Sequence, residues 1–192
     1  MSPSGLPLLG EETLREPLRR ALAARPPRRL PLGATTSAAV LVPLFAKDGE
    51  AHVWLVRRPR SMRSHGGQVA FPGGKCDPGD ASLVATALRE AHEEIGVPSA
   101  RVDVLGALDD YHTITGFTIS PAVGWLPPDL VLYPNPAEVE RVFAAPLSAL
   151  LEPPSGTWPW RGWTVEGDLI WGATAAIVRD LVAIVRGLAP DQ

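Results

Sequence analysis

A chain of 192 residues, 45% hydrophobic and 20% charged, is long enough for one sizeable globular domain and too short for two ordinary ones. Its formal net charge of -3 gives no bulk attraction to nucleic acid or anionic lipid, so an anionic ligand must meet local positive charge or a metal. The single cysteine, Cys76, excludes an internal disulfide framework and a Cys-rich zinc site, and no apolar run reaches the ~18 residues of a membrane span.

In chain order, Leu14, Leu18 and Leu22 recur every fourth residue and predict a short amphipathic helix that Pro26-Pro27 ends. The first thirty residues carry Glu11, Glu12 and several prolines where a signal peptide needs an apolar stretch, so a soluble, cytoplasmic protein is expected. After a Pro/Arg-rich connector, residues 38–45 read as a buried strand, Lys47-Asp48-Gly49 as a hairpin turn, and 51–56 as the partner strand. Arg57, Arg58, Arg60 and Arg63 emerge at that strand's end, where a solvated basic edge is the ordinary outcome for such a run. Residues 68–71 predict a short strand, and Pro72-Gly73-Gly74 a loop into a helix capped by Asp80 or Ser82. Strands are expected near 102–108, 118–125 and 138–144, and a last helix at about 173–185. Mixed strand order with helices on two faces predicts an α/β fold, an α/β/α sandwich with a mixed sheet. Residues 1–36 would form an N-terminal helix and connector, and 37–188 the main domain.

The helix after Gly74 is the most informative element. At roughly 100° per residue, Glu90, Glu93 and Glu94 share an arc of about 100°. Val84, Ala87, Leu88, Ala91 and Ile95 occupy the opposite flank, which should face a core while the carboxylates line a separate rim. Like charges so spaced cost an isolated helix roughly 0.2–0.5 kcal/mol per pair. No Lys or Arg one turn away offsets them, and Arg89, the only nearby cation, is expected to point off the rim. Hard oxygen ligands without a matching charge suit Mg2+ or Mn2+. The plainer alternative is a solvated acidic face, against which the preceding glycines speak. Gly73 and Gly74 can let backbone approach phosphate oxygens; they are no P-loop, because Val69 lies five residues before Gly74 and no Ser or Thr follows Lys75.

Gly74, Asp80, Arg89-Glu90, Glu93-Glu94 and Gly96-Val97 resemble the Nudix box, the signature of hydrolases that cleave a nucleoside diphosphate linked to another group. The box has a glutamate where Asp80 stands and seven residues before the arginine; eight separate Asp80 from Arg89 here, a departure that falls on Asp80 and leaves the helix carboxylates in register. Upstream, Arg58, Arg63, Gly67 and Phe71-Pro72-Gly73-Gly74 are similar to the extra motif of the coenzyme A pyrophosphatase branch, with Val56 and Pro59 in place of its usual Thr and Ser. Thr113-Ile114-Thr115-Gly116, Pro121-Ala122-Val123-Gly124, Glu138-Val139 and Trp171 to Ala175 also look like that branch, so the resemblance runs from about Ala38 to about Val185.

The resemblance implies a Nudix fold and metal-dependent hydrolysis of the diphosphate bond of coenzyme A or an acyl derivative, giving adenosine 3',5'-bisphosphate and a 4'-phosphopantetheine product. Glu90 and Glu94 would hold the main Mg2+ or Mn2+. Glu93 would help with a second ion or its water, and Arg89 would orient the helix carboxylates. Glu138, rather than Glu140, is the candidate general base. Arg58, Arg63, Gly67, Gly73 and Gly74 are the candidate substrate contacts, with Arg58 or Arg63 forking onto a phosphate. The rivals are a Nudix pyrophosphatase for ADP-ribose or a nucleoside triphosphate, and a non-catalytic nucleotide-binding module. The expected partner is a small molecule, coenzyme A or a derivative, with no nucleic acid and no membrane; a homodimer stays open. His52, His65, His92 and His112 lack ligand spacing, with His65 the one inside the branch motif. Trp158, Trp160, Trp163 and Trp171 read first as core or interface aromatics.

Overall fold

The structure, a computed structural model, describes residues 10–31, 33–62, 66–157 and 161–188. Helix α1 (Glu11–Ala24) buries Leu14, Leu18 and Leu22, the stripe expected from their spacing, and stops just before Pro26-Pro27. Strands β1 (Thr36–Lys47) and β2 (Glu50–Arg57) form the expected hairpin. Asp48 and Gly49 both take positive φ at its turn, the twist that matches two antiparallel strands. Two short strands follow, β3 (Val69–Ala70) and β4 (Gly73–Lys75). The stretch predicted as a loop is therefore partly strand, since Gly73 and Gly74 pair with Val40 and Ala39 of β1.

Helix α2 (Leu83–Ile95) begins at Ser82, whose hydroxyl accepts the Ala85 N–H at 3.1 Å, so Ser82 rather than Asp80 is the N-cap. It ends at Gly96 in the left-handed region (φ 73°), where Gly96 N–H closes onto His92 O. Then come β5 (Asp103–Ala107), β6 (Tyr111–His112), β7 (Phe117–Leu126), β8 (Arg141–Pro146) and α3 (Leu147–Leu151). The hairpin β9 (Trp163–Val165) and β10 (Asp168–Ile170) leads into α4 (Gly172–Arg186). The third predicted strand starts at Arg141, not at 138; Glu138 lies in the turn before it, because Glu138 N–H and Val139 N–H both fold back onto Asn135 O.

An eight-stranded sheet holds the fold, with β1 and β7 parallel and the other pairings antiparallel. This is a mixed sheet of the α/β kind, and helices cover both its faces. Along β1, Ala39, Leu41 and Phe45 join Ala87, Ala91 and Ile95 of α2 in one core. Val40, Val42 and Leu44 join the leucines of α1 and α3 and the apolar face of α4 in the other. Burial on both faces explains why β1 reads as an unbroken apolar run instead of an alternating one. Because β4 pairs with β1 while α2 packs on the same strand, the glycines come to lie against the glutamate side of α2. No helix among the described residues is long and apolar enough to cross a membrane.

Candidate active site

Two glycines make the site possible. Gly73 presses its α-carbon against β1, where a Cβ would collide with Ala39 O and the backbone of Val40. At Gly74 a Cβ would overlap the carboxylate of Glu90. Only residues without side chains let the strand lie this close to α2. The Gly73 N–H donates to Glu94 Oε2 at 3.1 Å, so that donor is occupied by the helix carboxylate, not left open toward a phosphate.

Glu94 is not on an open rim as its helical position suggested; it is 2% exposed, under β4. Its other oxygen, Oε1, lies 3.3 Å from Arg58 Nη2, and the same nitrogen donates to Gly73 O at 3.3 Å. Arg58 is itself set by its backbone, donating N–H to Gln68 O and accepting from Gly67 N–H, both at 3.0 Å. Gly67 reaches that position with φ 74°. Among the sequence-derived substrate contacts, then, Arg58, Gly73 and Gly74 meet the glutamate helix and Gly67 braces the Arg58 backbone; Arg63 and His65 lie outside the described residues. Burial drives the Glu94 carboxyl up to about 7 against the opposing charge of Arg58 and the Gly73 N–H, and the nearby charges of Glu138 and Glu90 add to the rise.

Arg89 corrects a second expectation. Its guanidinium does not point away from the carboxylates but sits among them, with Nη1 3.0 Å from Glu90 Oε1 and 3.1 Å from Glu93 Oε2. Its other edge forks onto Asp80, Nε to Oδ1 and Nη2 to Oδ2, both at 3.0 Å, and Nη2 also donates to Lys75 O. Asp80, expected from the sequence only as a candidate helix cap, is the anchor of this arginine. Asp80 is itself fixed by a tight turn in which Asp80 N–H meets Asp77 O and Asp77 N–H meets Asp80 Oδ2, with Thr86 Oγ1 also donating to Asp80. The Arg89 hydrogen bonds, then the Asp77 N–H and the Thr86 hydroxyl, hold the Asp80 carboxyl well below the usual carboxylate range. Glu90, by contrast, is pushed up by burial and by the charges of Glu93 and Glu138, with Arg89 opposing. Glu93 is the most exposed of the three glutamates, with half its side chain accessible.

Glu138 enters from the far side. Tyr133 N–H and Asn135 N–H donate to Ile95 O and Glu94 O, carbonyls that the end of α2 leaves free, and this docks the 133–138 segment beside the helix. Asn135 then turns the chain, accepting Ala137 N–H on its own Oδ1 and reaching Glu138 Oε1 at 3.5 Å, the outer limit of a hydrogen bond. Asn135 was not singled out in the sequence; the Asn-Pro pair before Ala137 was the available signal. Glu140 faces elsewhere. It accepts from Arg57 Nη2 at 2.9 Å in a cluster where buried Asp168 takes both Arg57 and Arg141 at 3.0 Å. Arg141 also reaches Glu166 at the β9–β10 turn, and this cluster had no signature in the sequence.

As arranged, no three His, Cys, Asp or Glu side chains among the described residues converge closely enough to enclose a metal ion. The donor set nevertheless fits a divalent cation in kind. Glu90, Glu93 and Glu94 offer only hard oxygens, and the guanidiniums of Arg89 and Arg58 supply the positive charge beside them. A divalent ion bound there would supply charge neutralisation at a phosphate and lower the pKa of an attacking water.

Fold and site together define a mixed-sheet α/β/α scaffold that presents an arginine-held glutamate helix beside glycine backbone. The NUDIX domain model matches residues 35–164, and the chain belongs to the Nudix hydrolase family, whose members generally use divalent metal ions. It is 43% identical over 171 residues to an uncharacterized Nudix hydrolase, NudL, of Photorhabdus laumondii, covering 84% of this chain and 90% of that protein. A NudL from Enterobacter sp. strain 638 is 40% identical, over 93% of this chain and 97% of its own. The fold is shared with the Nudix hydrolase RenU of M. smegmatis (TM-score 0.58, 21% identity, 82% of this chain and 89% of that one). It is shared as well with the NUDIX domain of Shewanella oneidensis NrtR in complex with ADP-ribose (TM-score 0.53, 20% identity, 80% and 88%).

Proposed function

We propose that this Nudix hydrolase cleaves the diphosphate bond of coenzyme A or an acyl-coenzyme A, using Mg2+ or Mn2+, to give adenosine 3',5'-bisphosphate and the (acyl-)4'-phosphopantetheine. The observation that carries this reading is that Arg58 and Gly73, two residues of the motif that resembles the coenzyme A branch, both bond to Glu94 of the glutamate helix. In this reading Glu90 and Glu94 are the principal metal ligands and Glu93 helps from the exposed side. Arg89, anchored on Asp80, orients Glu90 and Glu93. Glu138 takes the proton of the attacking water as its oxygen joins one phosphorus and the bridging oxygen departs with the other. Arg58 and Arg63 grip the diphosphate or the 3'-phosphate, and Gly67, Gly73 and Gly74 shape the strand that receives it. The protein works in the reducing cytoplasm, which suits the free, half-buried Cys76. Turnover of coenzyme A, ADP-ribose and nucleoside triphosphates, each with Mg2+ and with Mn2+, tests the assignment. Coenzyme A should be hydrolysed with the highest kcat/KM and yield adenosine 3',5'-bisphosphate; preference for ADP-ribose or a triphosphate would move the enzyme to another Nudix substrate class, and tight coenzyme A binding without product would make it a binding module.

A further inference from the structure

Two arginines neutralise the glutamate helix, and they are held very differently. Arg89 is locked by a fork onto Asp80 and by Lys75 O, every contact at 3.0 Å. Arg58 touches Glu94 Oε1 and Gly73 O with a single nitrogen, each at 3.3 Å, at the long and weak end of the hydrogen-bond range. Its backbone is pinned to Gln68 and Gly67, so its freedom lies in the side chain, which is 23% exposed at the lip of the site. Glu94 is buried, so its ionised form needs a cation beside it; taking Arg58 away without a substitute would strand that carboxylate in a poorly solvated place.

We propose that Arg58 is the resting counter-cation of Glu94, that divalent-metal binding at Glu94 displaces it, and that the freed guanidinium then grips the substrate diphosphate, so that metal binds before substrate. This rests on the metal-dependent reading of the site given above and adds an order of events to it. The same linkage works in reverse. A diphosphate arriving first would have to draw Arg58 off an otherwise unpaired carboxylate, whereas one arriving second finds it available, and the two ligands therefore bind with positive coupling through this side chain. Arg89 keeps its fork on Asp80 throughout, because that anchor involves neither Glu90 nor Glu94.

The test uses the full-length protein without substrate. Mn2+ binding is measured by the loss of the free-ion electron paramagnetic resonance signal for wild type and R58Q, and Arg58 in the wild type is labelled with phenylglyoxal, with and without Mn2+, and counted by peptide mass spectrometry. Removing a unit positive charge next to the ligand should tighten Mn2+ by about tenfold in R58Q. In the wild type, Mn2+ should speed labelling of Arg58 and leave that of Arg89 unchanged. If R58Q does not fold, the labelling alone decides. Wild type that binds Mn2+, with no tightening in R58Q and no faster labelling of Arg58, overturns the proposal by itself; wild type that binds no Mn2+ overturns the reading of the site beneath it, and the proposal with it.

Discussion

Asp80 and Arg89 form the firmest polar contact of the site, a two-point ion pair with an aspartate whose side chain is 10% exposed. Such outer partners of a catalytic cluster are commonly worth about 10–100-fold in metal affinity or activity. D80N should therefore lower kcat/KM by about that range while leaving the protein folded; an unchanged rate would remove Asp80 from the machinery. The pair also has a signature in pH. Asp80 is held below its unfolded value, so the native state binds fewer protons, and the stability this contributes is complete above about pH 4 and lost as pH falls below it. Wild type should melt above D80N at neutral pH, and the gap should narrow steadily as pH falls below about 4 in thermal scans.

The elements differ in how far the sequence announced them. Helix α2 was legible because its apolar residues repeat at 3.6, Ser82 caps its start and Gly96 ends it. Strands β4, β6, β9 and β10 are two or three residues long and show no period; they exist because a neighbour offers a hydrogen-bonding edge. The site divides in the same way. Three carboxylates one turn apart can be seen in a helix, but the arginine that meets Glu94 comes from 36 residues upstream, and only the paired sheet brings it there. The glycine strand gives a sharp contrast. In G73A the new methyl group meets β1 backbone and should cost about 1–3 kcal/mol in chemical denaturation. In G74A it meets only the end of a flexible Glu90 side chain, so stability should hold while Mn2+ affinity falls. The opposite pattern would show that Gly74, not Gly73, secures the strand.

Over the whole molecule, the glutamate helix and the N-terminal helix serve opposite faces of one sheet. Leu14, Leu18 and Leu22 belong to the same core as α4 and β7, and Arg15 and Arg19 tie α1 to Asp103 of β5. Further along, Arg25, Arg28 and Arg29 fasten the connector to Asp109 and Asp110. A segment that reads as a helix and a Pro/Arg-rich linker is thus clamped along its length, because the acidic residues that receive its arginines lie some eighty positions later. L18A should cost about 2–5 kcal/mol in denaturant unfolding, the loss expected at a fully buried core leucine. A change within a few tenths of a kcal/mol would mean that α1 is not part of the cooperative fold. Since α1 lies across the sheet from Glu90 and Glu94, residual folded L18A should still bind Mn2+ as wild type does. The account as a whole turns on a cation gathered by α2 beneath the glycine strand, and anomalous scattering from Mn2+-soaked crystals of wild type and E94Q tests it most directly. A peak within coordination distance of Glu90 and Glu94 in wild type, lost in E94Q, is the predicted result; ordered crystals with no ion at these side chains, even with coenzyme A present, would contradict it.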